Sequence, residues 1–388
     1  MTVIDLRDEL YKRNIDIIEI TDECVYYAEE LKINGVDTIH IYCYSFLTEN
    51  EEIMSYFTFD DTTYLQHYYA GKNNIIVLFE NNGNKVWIVK IDKRTNNEVL
   101  RKKIPLIGRF SDCVAVDDNN IIIYSKSDEE NRALFNRCLE ETNCDCLANL
   151  YDLENGIRYF VRDFKTIMLV KNHLSKFIGK NGREYLLLGD PYCESEEEKE
   201  SLFRELGTMA EDIRDNIWKI SKKRFLEEVR DNSENFKLKK VASAGIGGAV
   251  RFECVSQNQI IFRAKSFSSE EEHFFKISVD SGKVRPLCSV REKNEHARYF
   301  TDLSVGKIYY MEIGENDVTI KGEINSTAEI TYPNSIGKIV SCIDDRFIIA
   351  DNSLDSGEPV MSIYDGKLHL TDTYQARVKT KGNVIVFY

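Results

Sequence analysis

A polar turn between two short apolar strands returns along this chain, and no other feature narrows the fold as much. Residues 69–79 (YAGKNNIIVLF) share their pattern with 114–124 (VAVDDNNIIIY), 177–188 (FIGKNGREYLLL) and 254–262 (CVSQNQIIF). Looser copies lie at 303–311, 342–350 and 378–388. Each is a strand, a Gly/Asn/Asp turn and a second strand, which is how a β-hairpin is written in sequence. A second phrase, a strand ending in Asp and then a turn and another strand, follows at 86–100, 150–160, 275–284 and 362–370. Aspartate suits such turns because its carboxylate accepts bonds from nearby backbone N–H groups.

The spacing of these turn aspartates gives the size of the unit. From Asp280 to Asp365 is 85 residues, two units of about 42. From Asp92 to Asp152 is 60 and from Asp152 to Asp280 is 128, and both excesses fall on segments that read as non-strand, 127–148 and 190–232. One four-stranded sheet cannot bury both of its faces, so successive units must stack and cover one another. A four-stranded unit of about 42 residues, repeated about seven times, resembles the β-propeller superfold. The resemblance covers nearly the whole chain and implies an all-β, seven-bladed propeller over residues 1–388, or eight blades if residues 15–31 add one. It also implies a ring closed by strands from both termini. The hairpin 375–388 is expected to meet the strand pair at 38–45 and 53–59. No Trp-Asp dipeptide and no Tyr-Trp-Thr-Asp motif is present, one Gly-Gly (Gly247-Gly248) stands where kelch repeats carry one per blade, and the stretch 278–282 lacks the Thr-Trp of an Asp-box. Those motifs carry family activities, so no activity is implied here.

Composition excludes several partners. The formal net charge is −14, which is not the basic footprint of a nucleic-acid binder. No apolar run approaches the length of a membrane span. The opening residues MTVIDLRDELYKRN mix acids and bases without an apolar h-region, and the 10 cysteines read as reduced, buried small hydrophobes. The expectation is a cytoplasmic protein.

If the strands of each unit run outward from the axis, both long non-strand segments, 127–148 and 190–215, join a second strand to a third. They then lie on the same face of consecutive blades, and long loops of this kind are usually functional. The segment 190–232 is expected to be helical. Ser195 and Glu198 fit a capping box, and Leu202, Leu206, Met209 and Ile213 recur at helical spacing with Ile217. This stripe either packs on the propeller as a lid or docks a partner. Residues 191–215 hold nine acids and three bases, a net −6, which tolerates a basic partner and repels polyanions.

Cys138, Cys144 and Cys146 lack the spacing of a zinc site. The glycines at 245–248 lead into a strand rather than a helix, so they are no phosphate loop. Asp117, Asp118, Asp344 and Asp345 read as turn residues. Neither a metal nor a cofactor is expected. The connections between blades on the insertion face leave Tyr64, His67, Arg109, Asp112, Arg251, His296, Arg298 and Tyr299 as binding candidates around the central opening. Arginine with tyrosine is common at binding surfaces. The reading is a protein-binding or scaffolding platform, with a small molecule at the central opening as a second ligand class. The alternative is a carbohydrate-active or hydrolytic enzyme with a pocket there.

Overall fold

The computed structural model describes residues 2–7, 13–58, 63–81, 85–130, 132–133, 135–136, 146–172, 174–179, 181–189, 216–243, 248–255, 260–266, 271–277, 283–291, 297–302, 307–313, 315–321, 329–333, 337–343, 346–350, 360–381 and 384–388. Their strands form seven four-stranded sheets and one three-stranded sheet. Sheet I is β2–β5 (Asn14–Ile20, Cys24–Ile33, Val36–Ser45, Asn50–Thr58), and sheet II is β6–β9 (Thr63–Ala70, Asn74–Asn81, Lys85–Asp92, Asn97–Pro105). Sheet III is β10–β13 (Arg109–Ala115, Asn120–Lys126, Cys146–Asp152, Ile157–Phe160), and sheet IV is β14–β17 (Leu174–Ile178, Glu184–Gly189, Asn216–Ser221, Lys239–Ser243). Sheet V is β18–β21 (Gly248–Val255, Ile260–Ser266, Glu271–Ile277, Val284–Arg291). Sheet VI is β22–β25 (Ala297–Asp302, Lys307–Ile313, Asp317–Lys321, Glu329–Pro333), and sheet VII is β26–β29 (Lys338–Ile343, Arg346–Ala350, Val360–Tyr364, Leu370–Gln375). Sheet VIII joins β1 (Thr2–Asp5) to the C-terminal hairpin β30 (Val378–Lys381) and β31 (Val384–Phe387).

The repeated phrase is the first hairpin of its sheet in II to VII, and the last copy is the β30–β31 hairpin. The second phrase is the turn between third and fourth strands. Its aspartates work as expected: Asp92 Oδ1 accepts from the backbone of Arg94 (3.0 Å) and Thr95 (2.8 Å), and Asp152 Oδ1 accepts from Asn155 (3.0 Å). Asp365 Oδ1 accepts from Lys367 (2.9 Å) and His369 (2.8 Å). Between β3 and β4 stands Asn34-Gly35 with φ of 52° and 82°, the left-handed pair a two-residue hairpin turn requires.

The chain divides into two compact units. One comprises Met1–Thr58 with Arg291–Tyr388, the other Phe59–Val290. In the second unit, consecutive sheets bury one another's faces. Ile76, Leu78, Val86 and Ile88 of sheet II meet Ala115, Ile121 and Ile123 of sheet III. The opposite face of sheet III, with Ile122, Tyr124, Ala148 and Leu150, meets Leu186, Leu188 and Ile220 of sheet IV. Phe177, Leu187 and Ile217 of sheet IV then meet Phe262 of sheet V. In the first unit, sheet VIII is packed against sheet I through Val384 and Val386 and against sheet VII through Ile385 and Phe387.

The strands at 38–45 and 53–59 do not meet the C-terminal hairpin. Residues 36–45 and 50–58 are β4 and β5, which complete sheet I with residues 14–33, and the hairpin pairs instead with Thr2–Asp5, parallel and in the register Thr2↔Val384 to Asp5↔Phe387. The physical reason is burial: all four residues of β31 are buried, and a strand covered on both faces also needs ladder partners on both edges.

Two helices are described along their length, α1 (Phe164–Asn172) and α2 (Lys222–Arg230), and residues 132–133 and 135–136 are helical too. The helical expectation for 190–232 is corrected at its end. Asn216–Ser221 is a strand, with Ile217 buried in the sheet, and the helix of this stretch begins at Lys222. The apolar spacing misled because Ile217 and Ile220 also serve opposite faces of a strand. Leu202, Leu206, Met209 and Ile213 lie outside the described residues. Both helices add to the layer between sheets III and IV, α1 through Ile167, Leu169 and Val170 and α2 through Phe225, Leu226 and Val229.

The turns at the other end from the long connections lock sheet II to sheet III. Asp118 Oδ2 accepts from Asn73 N at 2.9 Å, and its Oδ1 lies 1.6 Å from where a Cβ on Gly71 would stand. Gly71→Ala must therefore push that carboxylate away. We expect a loss of about 2 kcal/mol, at the usual cost of overpacking, read as a lower urea midpoint at unchanged slope.

Candidate functional site

The second-to-third-strand connections of sheets III and IV leave from one end of the second unit, and the first strand of sheet III begins at that end. Arg109 is paired with Lys126, the last residue of β11, and both are exposed. Phe110 is paired with Ser125 and Asp112 with Tyr124, so Ser111 is the extra residue of a β-bulge, a device that re-aims neighbouring side chains. Gly108, at φ +84°, precedes the strand. A Cβ there would lie 2.3 Å from Lys126 O and 2.6 Å from Phe135 Cζ. Phe135, 2% exposed, is packed with Leu147, Ile107 and Phe160. The glycine thus gives Phe135 its seat, and Phe135 holds the start of the 127–145 connection against the sheet.

From sheet II, His67 lays its ring against Phe110, with centroids 5.5 Å apart and planes tilted by 56°. Burial pushes the His67 imidazole below its ordinary value, and the Asp112 carboxylate draws it only partly back. His67 Nε2 is buried without a hydrogen-bond partner. Tyr69 of the same strand donates to the Cys113 carbonyl across the two sheets. Behind the site Lys171 of α1 points its Nζ at Cys146 Sγ (3.8 Å) and over the Tyr124 ring (5.6 Å). The end of sheets II to IV that carries the long connections therefore brings Arg109, Lys126, Lys171, His67 and Phe110 together with Asp112 and, just after Lys126, Asp128, Glu129 and Glu130.

The opposite end is carboxylate-rich, and Asp117 and Asp152 there are held by donors. Asp117 Oδ1 accepts from the backbone of Asn119 and Asn120, at 2.9 Å each, and from Asn120 Nδ2 at 2.8 Å. Lys222 at the start of α2 reaches Asp117 at 3.4 Å and also pairs with Glu184. Burial alone would raise the Asp117 carboxyl, but these donors and Lys222 hold it below its ordinary 3.8. Asp152 behaves in the same way: burial is outweighed by Asn155 and by Arg230, whose Nη2 lies 3.2 Å away. A depressed carboxyl stabilises the fold above its unfolded value and loses that contribution as pH falls through the folded value. The urea midpoint should hold steady above pH 5 and fall below about 3.8, and Asp117→Asn should flatten that decline.

In sheet I a thiol pair stands apart. A bond from Cys43 draws the Cys24 thiol down to about 6 against its burial, with Thr21 Oγ1 a further partner 3.3 Å from its sulfur. Sequence spacing could not show it, since the two residues meet only through the β3–β4 register. Among the described residues no group of three or more His, Cys, Asp or Glu could hold a metal ion.

No family model matches the sequence, and no curated protein does. Solved structures align with most of it. A prolyl endopeptidase is 9% identical over 93% of this chain and 50% of its own, with a TM-score of 0.51. The β-propeller domain of the Trilobed protease from Pyrococcus furiosus is 12% identical over 93% and 98%, at 0.41. The Porphyromonas gingivalis dipeptidyl peptidase 4 is 9% identical over 96% and 55%, at 0.49. The chain has the β-propeller fold. It spans half the length of the prolyl endopeptidase chain.

Within this propeller the residues expected on inter-blade loops stand on strands. Tyr64 and His67 are on β6, Arg109 and Asp112 on β10, Arg251 on β18, and Arg298 and Tyr299 on β22. His296 lies outside the described residues. Strand pairing runs on through these positions because the bulges let it continue past irregular register, as at Phe110/Asp112 and Phe252/Cys254. The structure brings His67 and Asp112 together with Phe110, and Arg109 with Lys126. Sequence reasoning missed Phe110, Gly108 and Phe135. The single glycine just before an alternating strand was the available signal. Cys146 belongs to β12 and is buried, and Gly248 opens a strand, as its sequence suggested. Among the described residues no helix is long and apolar enough to cross a membrane.

Proposed function

We propose that this propeller is a binding module with one blade per described sheet. Its contact surface would be the end of sheets III and IV where β11 gives way to β12 and β15 to β16. The observation that carries this reading is positional. Two long connections leave adjacent, mutually packed sheets from one end, and Arg109, Lys126, His67 and Phe110 stand at that same end. A partner protein with mixed charge fits best, its acidic groups meeting Arg109 and Lys126 and its basic groups meeting the net −6 of residues 191–215. Free thiols at Cys24, Cys43, Cys113 and Cys146 agree with a reducing, cytoplasmic setting.

The enzyme alternative would use His67 with Asp112 as an acid–base pair. Its Nε2 is shut away from solvent, which favours recognition over proton transfer to a diffusing substrate.

Replacing residues 191–214 by a short Gly-Ser linker should leave the melting temperature nearly unchanged and abolish capture of the partner by the immobilised protein. The cut must stop before Asn216, because β16 and α2 are core. Retention of the same partner by this variant and by Arg109→Glu/Lys126→Glu would sink the reading.

A further inference from the structure

Sheet I carries two thiols on one face, beside its turns. Cys24 opens β3 directly after the exposed turn residues Asp22 and Glu23, and Cys43 stands near the end of β4, before the exposed residues 47–49. The register pairs Cys24 with Ser45 and Tyr26 with Cys43, so the two cysteines are diagonal neighbours on the same face of the sheet. Val25 and Tyr27, which alternate with Cys24 and Tyr26, take the other face and are packed with Val384 and Val386 of sheet VIII. Neither cysteine is in a disulfide; Cys24 is 9% exposed and Cys43 is half-buried.

The two thiols are set up differently. Thr21 Oγ1 accepts from Cys24 N at 2.9 Å and lies 3.3 Å from its sulfur, and Thr21 N donates to Cys24 O at 2.9 Å. The turn thus fixes Cys24 with a hydroxyl beside its sulfur. Bonds from Cys43, Thr21 and Tyr26 favour the Cys24 thiolate over the burial and the Glu19 carboxylate that oppose it, whereas the bond to Cys24 and burial push the Cys43 thiol up. Cys24 is therefore the nucleophile of the pair, and Cys43 keeps its proton. Cys113, by contrast, is 3% exposed and is pushed up to about 12 by burial.

We propose that Cys24 and Cys43 form a peroxide-sensitive modification site, in which Cys24 takes up the oxygen and Cys43 closes a disulfide onto it. A thiolate poised beside a second thiol is the arrangement that redox-responsive cysteines use. In the first step the Cys24 sulfur attacks one oxygen of hydrogen peroxide. An S–O bond forms, the O–O bond breaks, and hydroxide leaves. In the second step the Cys43 sulfur attacks the sulfenic sulfur of Cys24. The S–S bond forms, the S–O bond breaks, and the departing hydroxide takes the Cys43 proton as water. The two thiols lose two electrons and the peroxide gains them. Diagonal Cα atoms stand about 7–8 Å apart, just past the reach of a relaxed disulfide. The bond therefore draws the ends of β3 and β4 together, and a small thiol reopens it. This site is in sheet I, apart from the platform surface, and stands or falls without it.

The test treats the reduced full chain with a few equivalents of hydrogen peroxide, alkylates the remaining thiols and maps the peptides by mass spectrometry. The expected product is one peptide pair joined Cys24–Cys43 within the monomer. The Cys24 thiol should be lost about tenfold or more faster than the Cys113 thiol, and dithiothreitol should restore it. Dimedone should tag Cys24 in Cys43→Ser and leave Cys43 untagged in Cys24→Ser, with circular dichroism checking that both variants fold. Where a variant does not fold, the wild-type map decides alone. Loss of Cys24 no faster than that of Cys113 overturns the proposal, and so does a Cys24 that is oxidised without ever joining Cys43.

Discussion

Deletion of residues 384–388 is expected to unfold sheets I, VII and VIII. β31 lies between β1 and β30, and all four of its residues are buried. One face, Val384 and Val386, fills a cluster with Ile4, Leu6, Ile15, Val25 and Tyr27. The other, Ile385 and Phe387, fills a cluster with Ile343, Ile348, Met361 and Ile363. Phe387 is also stacked on Tyr374 at 3.9 Å, and its carbonyl accepts from Leu6 N at 2.9 Å. Truncating one such side chain costs about 3–5 kcal/mol, so Phe387→Ala alone should consume much of a typical stability of about 5–15 kcal/mol. The deletion removes four at once, together with the ladder partners of β1. Circular dichroism and limited proteolysis of the truncated chain are the check. A protease-resistant 1–58 segment would show that sheet I holds without its neighbour.

Asp163→Ala should give the largest effect of any polar substitution in the second unit. Asp163 is 6% exposed and stands just before α1. Its Oδ1 accepts from Thr166 N at 2.9 Å and its Oδ2 from Thr166 Oγ1 at 2.9 Å and Phe236 N at 2.6 Å. The carboxylate thus caps the helix and ties it to a segment 73 residues away. Loss of a cap costs about 1 kcal/mol, and leaving a buried backbone N–H unpaired adds about 1–3. The expected total is about 2–4 kcal/mol by urea unfolding, with Asp163→Asn losing roughly half of that. An alanine variant within 0.5 kcal/mol of wild type would mean that water replaces the carboxylate at both donors.

The hairpins and the turn aspartates were legible because both depend on local chemistry: an apolar run, a residue that tolerates positive φ, a carboxylate within reach of the next N–H groups. The long connections were legible as excess over a regular period, and their place between second and third strands held at 126/146 and 189/216. Which strand meets the C-terminal hairpin was not, because Thr2–Asp5 is only four residues long and its role is set entirely by a partner 382 residues later, in the register Thr2↔Val384. Asn216–Ser221 was misread because isoleucines at 217 and 220 fit a helical stripe as well as a strand. The candidate site was half legible. His67, Arg109 and Asp112 could be named from residue type, but Phe110 and Ser125 acquire meaning only through register and the bulge at Ser111.

The parallel pairing of β1 with β31 also sets the order of events in the life of the chain. β1 finds its partner β31 only when the residues between them have been made, roughly 20–80 s later at ordinary elongation speeds. Every other described sheet draws its strands from one continuous segment and can assemble as that segment appears. Sheet VIII cannot, so a nascent chain that stalls anywhere before residue 384 presents sheets I and VII with the apolar faces that β31 covers still open. Synthesis of β31 is thus built into the fold as a condition for burying them.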